Sequence, residues 1–123
     1  MRSFVDALHA HAVPMAVATS ARRADAIGLL GPLGLLDRFA VIVSAEDVTR
    51  GKPDPEVYLL AARRLGTPPA SCLAFEDALV GVQAARNAGM RVVGVATAYD
   101  PSDLLAAGAE QAIMTFEGLS WPL

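Results

Sequence analysis

Two hydroxyls follow a short apolar run near the start of the chain, where a helix is about to begin. The residues are Thr19 and Ser20, after the run at 15–18 and before a stretch of helical periodicity. Hydroxyls and free backbone N–H groups at a helix N-terminus bind anions, because the donors and the helix dipole both favour negative charge. Thr19 and Ser20 are therefore candidate phosphate ligands, with simple capping of the helix as the alternative.

A lysine occupies a stiff polar loop in the middle of the chain. Lys52 lies between Gly51 and Pro53. A lysine held in this way can neutralise a phosphate, or the charge that develops on a phosphoryl group during transfer. The alternative is an ordinary solvated loop lysine.

Two adjacent acids follow the apolar run at 72–75. Glu76 and Asp77 bring two negative charges together directly after that run. Magnesium is bound through one or two carboxylates, with water and substrate phosphate oxygens completing its shell. The pair is a candidate magnesium site; in the alternative, Asp77 caps the next helix and Glu76 is exposed.

The elements that must position these groups alternate along the chain. Apolar, β-branched runs predict strands and segments of 3.6-residue period predict helices. Asp54 before Pro55 predicts a helix start, and Gly66 and Gly89 predict helix ends. The predicted strands cover 15–18, 40–44, 72–75, 91–95 and 112–114, and the predicted helices 2–12, 21–30, 55–65, 79–88 and 101–107.

This alternation is typical of an α/β fold with a parallel sheet and helices on both faces. Ligands of such sheets bind beyond the carboxyl ends of the strands. Thr19, Ser20, Glu76 and Asp77 fall at such ends and Lys52 in the loop before a helix. We therefore expect one shared site with an anion donor, a charge neutraliser and a metal ligand.

Composition narrows the class of protein. With 123 residues, 54% of them apolar, the chain is expected to form a single domain over 1–123 with a real core. The net charge of −3 without a basic stripe argues against a nucleic-acid or membrane partner. One cysteine, Cys72, and the lack of a recognisable signal peptide favour a cytoplasmic protein.

The motifs VATS at 17–20, GKPDP at 51–55 and FEDA at 75–78, followed by Gly81, resemble the haloacid dehalogenase (HAD) superfamily. The likeness is closest to its β-phosphoglucomutase-like phosphatase branch, since the metal-free dehalogenase branch lacks the Glu-Asp pair. It implies a three-layer Rossmann-like fold and Mg2+-dependent phosphatase or phosphomutase chemistry on a small phosphorylated metabolite. In that family Thr19, helped by the Ser20 amide, would bind the phosphoryl group, and Lys52 would bridge it to the nucleophile. Glu76 and Asp77 would hold the magnesium ion.

The nucleophile of that family is the first aspartate of an Asp-x-Asp pair at the end of the first core strand. No two aspartates of this sequence stand two positions apart. Asp6 lies in a helical segment, and Asp47 is a loop residue beside another acid. Asp54 is a predicted helix cap, and Asp100 has no partner carboxylate. We therefore expect an incomplete core, without the nucleophile strand or the small helical cap domain.

In the resembled family the nucleophile strand is central in the sheet. We expect its two neighbours, 15–18 and 73–75, to pair directly unless another chain fills the gap, because bare strand edges promote association. Three functions remain open. They are an enzyme core that is inactive alone, a non-catalytic subunit or homo-oligomer completed by another chain, and a flavodoxin-like phosphate- or partner-binding module.

Overall fold

The computed structural model of the chain describes residues 1–117 and 119. Strands and helices alternate along this part, as the sequence pattern predicts. The helices are α1 (Arg2–Ala10), α2 (Arg23–Leu30), α3 (Glu56–Leu65), α4 (Leu79–Asn87) and α5 (Pro101–Ala107). The strands are β1 (Ala16–Ala18), β2 (Val41–Val43), β3 (Leu73–Glu76), β4 (Arg91–Val95) and β5 (Gln111–Ile113). None of the described helices is long and apolar enough to cross a bilayer.

Local chemistry sets where these elements begin and end. The Asp54 carboxylate accepts the Glu56 N–H at 2.9 Å, one residue beyond the predicted helix start. Gly66 ends α3 with a φ of 71°, and Gly89 follows α4 with a φ of 88°. Glycine adopts this left-handed region without steric cost, so both predicted helix ends are confirmed.

The strands form two separate parallel sheets. One holds β1 and β2, with Val17 opposite Ile42; the other has the order β3-β4-β5, with Ala74 opposite Val92. The expected pairing of β1 with β3 is therefore wrong. Both strands are edges, and side chains of α1 and α3 line the cavity between them.

We call this cavity, between the facing edges of β1 and β3, the slot. Its volume is about 370 Å³. Phe75 packs edge-on against Phe4 of α1, with ring centroids 5.5 Å apart, whereas its neighbour Ala74 belongs to the buried cluster around Ala61 of α3. Neighbouring strand residues point to opposite faces, so α1 and α3 cover opposite faces of β3.

The main core lies between α3, α4 and the second sheet. Its members are small or β-branched and almost fully buried, with Val82, Ala84, Ala85 and Val92 at 0% exposure. Small residues let helices approach the strands closely, so the core is dense although the chain is short. It places the ends of β1 and β3 beside the first turns of α3 and α4.

Candidate phosphate and metal site

One ammonium group joins the carboxyl ends of the two edge strands. Lys52 Nζ donates to the Ala18 carbonyl at the end of β1, at 3.2 Å, and to Oε1 of Glu76, the last residue of β3. Thr19 follows Ala18 directly, and Asp77 follows Glu76. The residues predicted from three separate motifs therefore meet at one end of the slot.

The lysine is held in a buried position. Only 11% of its side chain is exposed, and Nζ lies 5.2 Å from the centroid of the Tyr58 ring. A buried charge is stable only when it is paired, and here the Glu76 carboxylate provides the pair. The alternative of a solvated loop lysine is wrong.

Tyr58, which accompanies the Lys52-Pro53 motif in the sequence, is a site residue that is not among the sequence candidates. It lies in the first turn of α3, and its hydroxyl donates to the same Oε1 of Glu76 that binds Lys52. Burial, reinforced by the negative charge of Glu76, raises the pKa of the Tyr58 phenol far above its usual range, so it stays a donor. One general rule could have indicated its role: the hydroxyl of a buried tyrosine usually has a hydrogen-bond partner.

The Glu76 carboxylate fits against the first turn of α4 because residue 81 is glycine. A Cβ at Gly81 would overlap the carboxylate of Glu76, far inside van der Waals contact. Glu76 is only 8% exposed. The FEDA motif and the glycine after it are thus parts of one arrangement, in which the glycine makes space for the acid.

Two side chains fix the loop that carries Lys52. The Glu56 carboxylate accepts the backbone N–H groups of Thr49 and Arg50, at 2.6 and 2.9 Å. Asn87 of α4 donates to the Pro53 carbonyl at 3.1 Å. Neither residue was a sequence candidate, because hydrogen bonds to a loop backbone leave no motif.

The hydroxyls of the first motif stand before a helix but do not cap it. The Thr19 hydroxyl accepts the Ala21 N–H at 3.0 Å, while α2 begins only at Arg23, without a side-chain cap. The capping alternative for Thr19 and Ser20 is therefore wrong. Thr19 is half-buried at the end of β1 and Ser20 is exposed beside it.

Glu76 and Asp77 differ in solvent exposure. Asp77 is exposed, and the cap position of α4 belongs to Ala78, with no side-chain hydrogen bond, so the capping alternative for Asp77 is wrong. Glu76 is engaged by Lys52 and Tyr58. Among the described residues no three histidine, cysteine or acidic side chains cluster around one point. Magnesium needs only one or two carboxylates, so Asp77 fits as a ligand and Glu76 fits once it releases Lys52.

A second polar cluster stabilises the loop after β2 and takes no part in the site. The Asp47 carboxylate accepts the backbone N–H and the hydroxyl of the buried Ser44, at 2.8 and 3.0 Å. These hydrogen bonds hold the pKa of Asp47 below its usual value. Glu46 accepts the Arg23 N–H at 2.9 Å, and its pKa is lowered chiefly by that bond. The cluster ties the loop to the start of α2.

Fold and motifs together define a HAD-like α/β core. A family model for haloacid dehalogenase-like hydrolases matches residues 1–95, and the chain belongs to this family. The expected Rossmann-like fold is confirmed, incomplete in that its two sheets are not joined.

Relatives with known activities lie in the same branch. The chain is 40% identical over 110 residues to validoxylamine A 7'-phosphate phosphatase of Streptomyces hygroscopicus subsp. limoneus, covering 89% of this chain and 51% of the relative. It is 42% identical over 83 residues to β-phosphoglucomutase of Bacillus subtilis, covering 68% and 36%. A crystal structure of CbbY from Rhodobacter sphaeroides with xylulose-(1,5)bisphosphate superposes with a TM-score of 0.87 at 30% identity, covering 96% and 53%. The chain thus spans between about a third and about half of the length of these relatives.

Proposed function

We propose that this chain is the core of a magnesium-dependent phosphatase or phosphomutase acting on a small phosphorylated metabolite, most simply a phosphorylated sugar. The observation that carries the proposal is the buried Lys52 ammonium between the carboxyl ends of β1 and β3. A fixed positive charge at this edge stabilises the charge of a transferring phosphoryl group. The names of the relatives, a validoxylamine A 7'-phosphate phosphatase and a β-phosphoglucomutase, support the substrate class.

Each candidate residue has a distinct part. The Thr19 hydroxyl and the Ser20 N–H would bind phosphate oxygens, and Lys52 would neutralise their charge. Asp77, with Glu76 beside it, would hold Mg2+, which when bound screens the phosphate further. Because Lys52 is already paired with Glu76, an incoming phosphate would compete for the ammonium, and Glu76 would then turn towards the metal.

The nucleophile is a further part of the proposal. A carboxylate would attack phosphorus and displace the alcohol of the phosphate ester, which leaves with a proton, and the acyl phosphate so formed would be cleaved by water to the carboxylate and inorganic phosphate. No Asp-x-Asp pair occurs in residues 1–123. We infer that a segment or chain outside these residues provides the carboxylate and assembles with residues 1–123 in the cytoplasm. We also infer that residues 1–123 alone turn over little substrate.

The test separates binding from chemistry. Phosphate binding is titrated by calorimetry with and without Mg2+, on the chain and on its Lys52→Met and Asp77→Asn variants. We expect saturable binding that Lys52→Met weakens at least tenfold and that Asp77→Asn uncouples from Mg2+. Asp103→Asn, an exposed acid of α5, is the matched control and should change nothing.

Three results would contradict the proposal in different ways. Absence of phosphate binding with Mg2+ present would remove the site altogether. Robust hydrolysis of p-nitrophenyl phosphate by residues 1–123, abolished by Asp77→Asn, would place the nucleophile inside them. Phosphate binding without turnover, unaffected by any added segment, would favour a non-catalytic binding module instead.

A further inference from the structure

A second cavity, of about 710 Å³, lies between α3 and the loop that joins β2 to α3. We call it the α3 cleft, and it extends along the helix from Glu56 to Arg64. Among the described residues, three arginines, three acids and two leucines line it, and none of these is a candidate ligand of the phosphate or the metal. The α3 cleft is therefore a surface distinct from the site at the strand ends.

The acids of the α3 cleft are already engaged by donors of the chain itself. The Glu56 carboxylate accepts two N–H groups of the loop before α3, and the Asp54 carboxylate accepts the Glu56 N–H. Asp47 accepts the backbone N–H and the hydroxyl of Ser44. Such bonds fix a carboxylate and partly compensate its charge, so these acids have little left to offer a ligand.

The arginines of the α3 cleft keep most of their donors for a ligand. Arg50 Nη1 lies 3.9 Å from Asp54, and Arg64 Nη2 lies 3.7 Å from Asp47. Both distances exceed that of a hydrogen bond, so the five N–H donors of each guanidinium stay available. Arg63 is exposed and has no ion pair within the part of the chain that the structure describes. The cleft therefore presents cationic donors to solvent, although its formal charges balance.

An exposed leucine lies among these arginines. Leu59 is 43% exposed, whereas its neighbour Leu60 packs against the buried core. Residues four apart lie on one face of a helix, so Leu59 shares a face with Arg63. An apolar centre with a polar rim, rich in arginine, is typical of protein–protein interfaces.

We propose that the α3 cleft binds an acidic segment of a partner protein, in which carboxylates flank an apolar side chain. The apolar side chain would contact Leu59. The carboxylates would accept hydrogen bonds from Arg50, Arg63 and Arg64, whose planar guanidinium groups match the geometry of a carboxylate.

Other ligand classes fit the α3 cleft less well. Pockets for small molecules enclose most of the ligand, whereas Leu59 and the 77% exposed side chain of Arg50 are open to solvent. A nucleic acid would bring a continuous line of phosphates, which the three acids between the arginines would repel. The inference concerns a surface outside the phosphate site, and its test uses neither phosphate nor Mg2+, so either proposal can fail without the other.

The experiment uses a fluorescein-labelled peptide of about twelve residues, long enough to span α3 from Glu56 to Arg64, in which glutamates flank leucines at helical spacing. Fluorescence anisotropy measures its binding. We expect saturable binding that weakens about tenfold when Arg63→Ser and Arg64→Ser are combined, because two charge-assisted contacts are lost. Leu59→Ser should also weaken it about tenfold, because the apolar contact is lost. Added salt should weaken binding further, since the contacts lie at the surface.

Two exposed residues of other helices provide matched controls. Arg86→Ser in α4 removes the same charge, and Leu105→Ser in α5 removes a leucine that is 47% exposed. Both should leave peptide binding unchanged, and circular dichroism checks that every variant keeps its fold.

Several results would overturn the proposal. They are the lack of saturable binding, equal weakening by the control substitutions, and equally tight binding of a peptide with lysines in place of the glutamates. Displacement of the peptide by free glutamate as effectively as by unlabelled peptide would indicate a small-molecule site instead. Self-association of the chain that the combined Arg63→Ser and Arg64→Ser variant abolishes would make a second copy the occupant.

Discussion

The Lys52 ammonium, the Tyr58 hydroxyl and the Glu76 carboxylate form one buried unit. Both donors bind the same carboxylate oxygen, and Glu76 and the Lys52 side chain are only 8% and 11% exposed. Breaking a buried ion pair by removing one partner is costly, because the remaining charge keeps its desolvation penalty. The site residues therefore also stabilise the fold, and loss of activity in a variant must be separated from loss of structure.

Replacing Lys52 by methionine tests whether this buried ion pair stabilises the fold. We expect Lys52→Met to lower the free energy of unfolding by about 3 kcal/mol, because Glu76 is left buried with Tyr58 alone. Urea unfolding followed by circular dichroism measures it. Adding Glu76→Gln to Lys52→Met should restore part of the loss, since the unpaired charge is then gone.

The matched control is an exposed pair of similar geometry. Arg91 Nε lies 2.8 Å from Oε1 of Glu110, with 57% and 41% of the two side chains exposed. Arg91→Met should cost less than about 1 kcal/mol, because water screens such pairs. A loss below about 1 kcal/mol for Lys52→Met as well would contradict the claim that its pair is buried and significant.

The sequence identifies the chemistry of single residues better than their partners. Thr19, Lys52, Glu76 and Asp77 could be picked out because hydroxyl, lysine and acid types follow predicted strands or lie in a stiff loop. The bonds from Lys52 and Tyr58 to Glu76 could not, since contacts between residues 24 and 18 positions apart depend on how the elements pack. Roles in phosphate and metal binding stay predictions.

At the scale of elements, residues close to each helix end were sufficient to predict most helix boundaries. Asp54 and Gly66 mark the ends of α3 to within a residue, because capping and left-handed turns are local. The separation of β1 from β3 could not be predicted, because strand pairing depends on contacts between elements that are distant in the sequence. No local sequence pattern indicates that a strand lacks a neighbour on one of its edges.

The second polar cluster, in which Asp47 accepts hydrogen bonds from Ser44 after β2, makes the stability of the fold depend on pH. The N–H and hydroxyl of Ser44 hold the pKa of Asp47 below its usual value, so protonation of Asp47 is harder in the folded state. Such a group stabilises the fold above its unfolded pKa, about 3.9, and the contribution is lost as pH falls through the folded pKa. Asp47→Asn should therefore lower stability by a constant amount from about pH 6 to 8, and by progressively less below about pH 4.

Urea unfolding of both proteins across this pH range measures the effect. The exposed Asp37, 78% exposed and 3.9 Å from Arg38, offers the control substitution Asp37→Asn. Its difference from the parent chain should stay small at every pH, because exposed pairs contribute little. A difference for Asp47→Asn that is unchanged down to about pH 3 would contradict the role given to Ser44.

At the scale of the whole molecule, residues 1–117 and 119 form two sheets that share helices but have no strand pairing with each other. β4 is central in its sheet, with Val92 at 0% and Val93 at 4% exposure, whereas β1 is half-buried along its length and has one edge on the slot. Elements with less burial and fewer neighbours open more easily than the core. The β1–β2 sheet should therefore be the less stable part of the fold.

Native-state hydrogen exchange measures this difference directly. The Thr19 amide, bonded to Val43, should show an opening free energy at least about 2 kcal/mol below that of the Arg91 amide, bonded to Cys72, because β1 lacks a second strand neighbour. Equal opening free energies in the two sheets would mean that α1 and α3 alone couple them fully, and the slot would then not limit the stability of the fold.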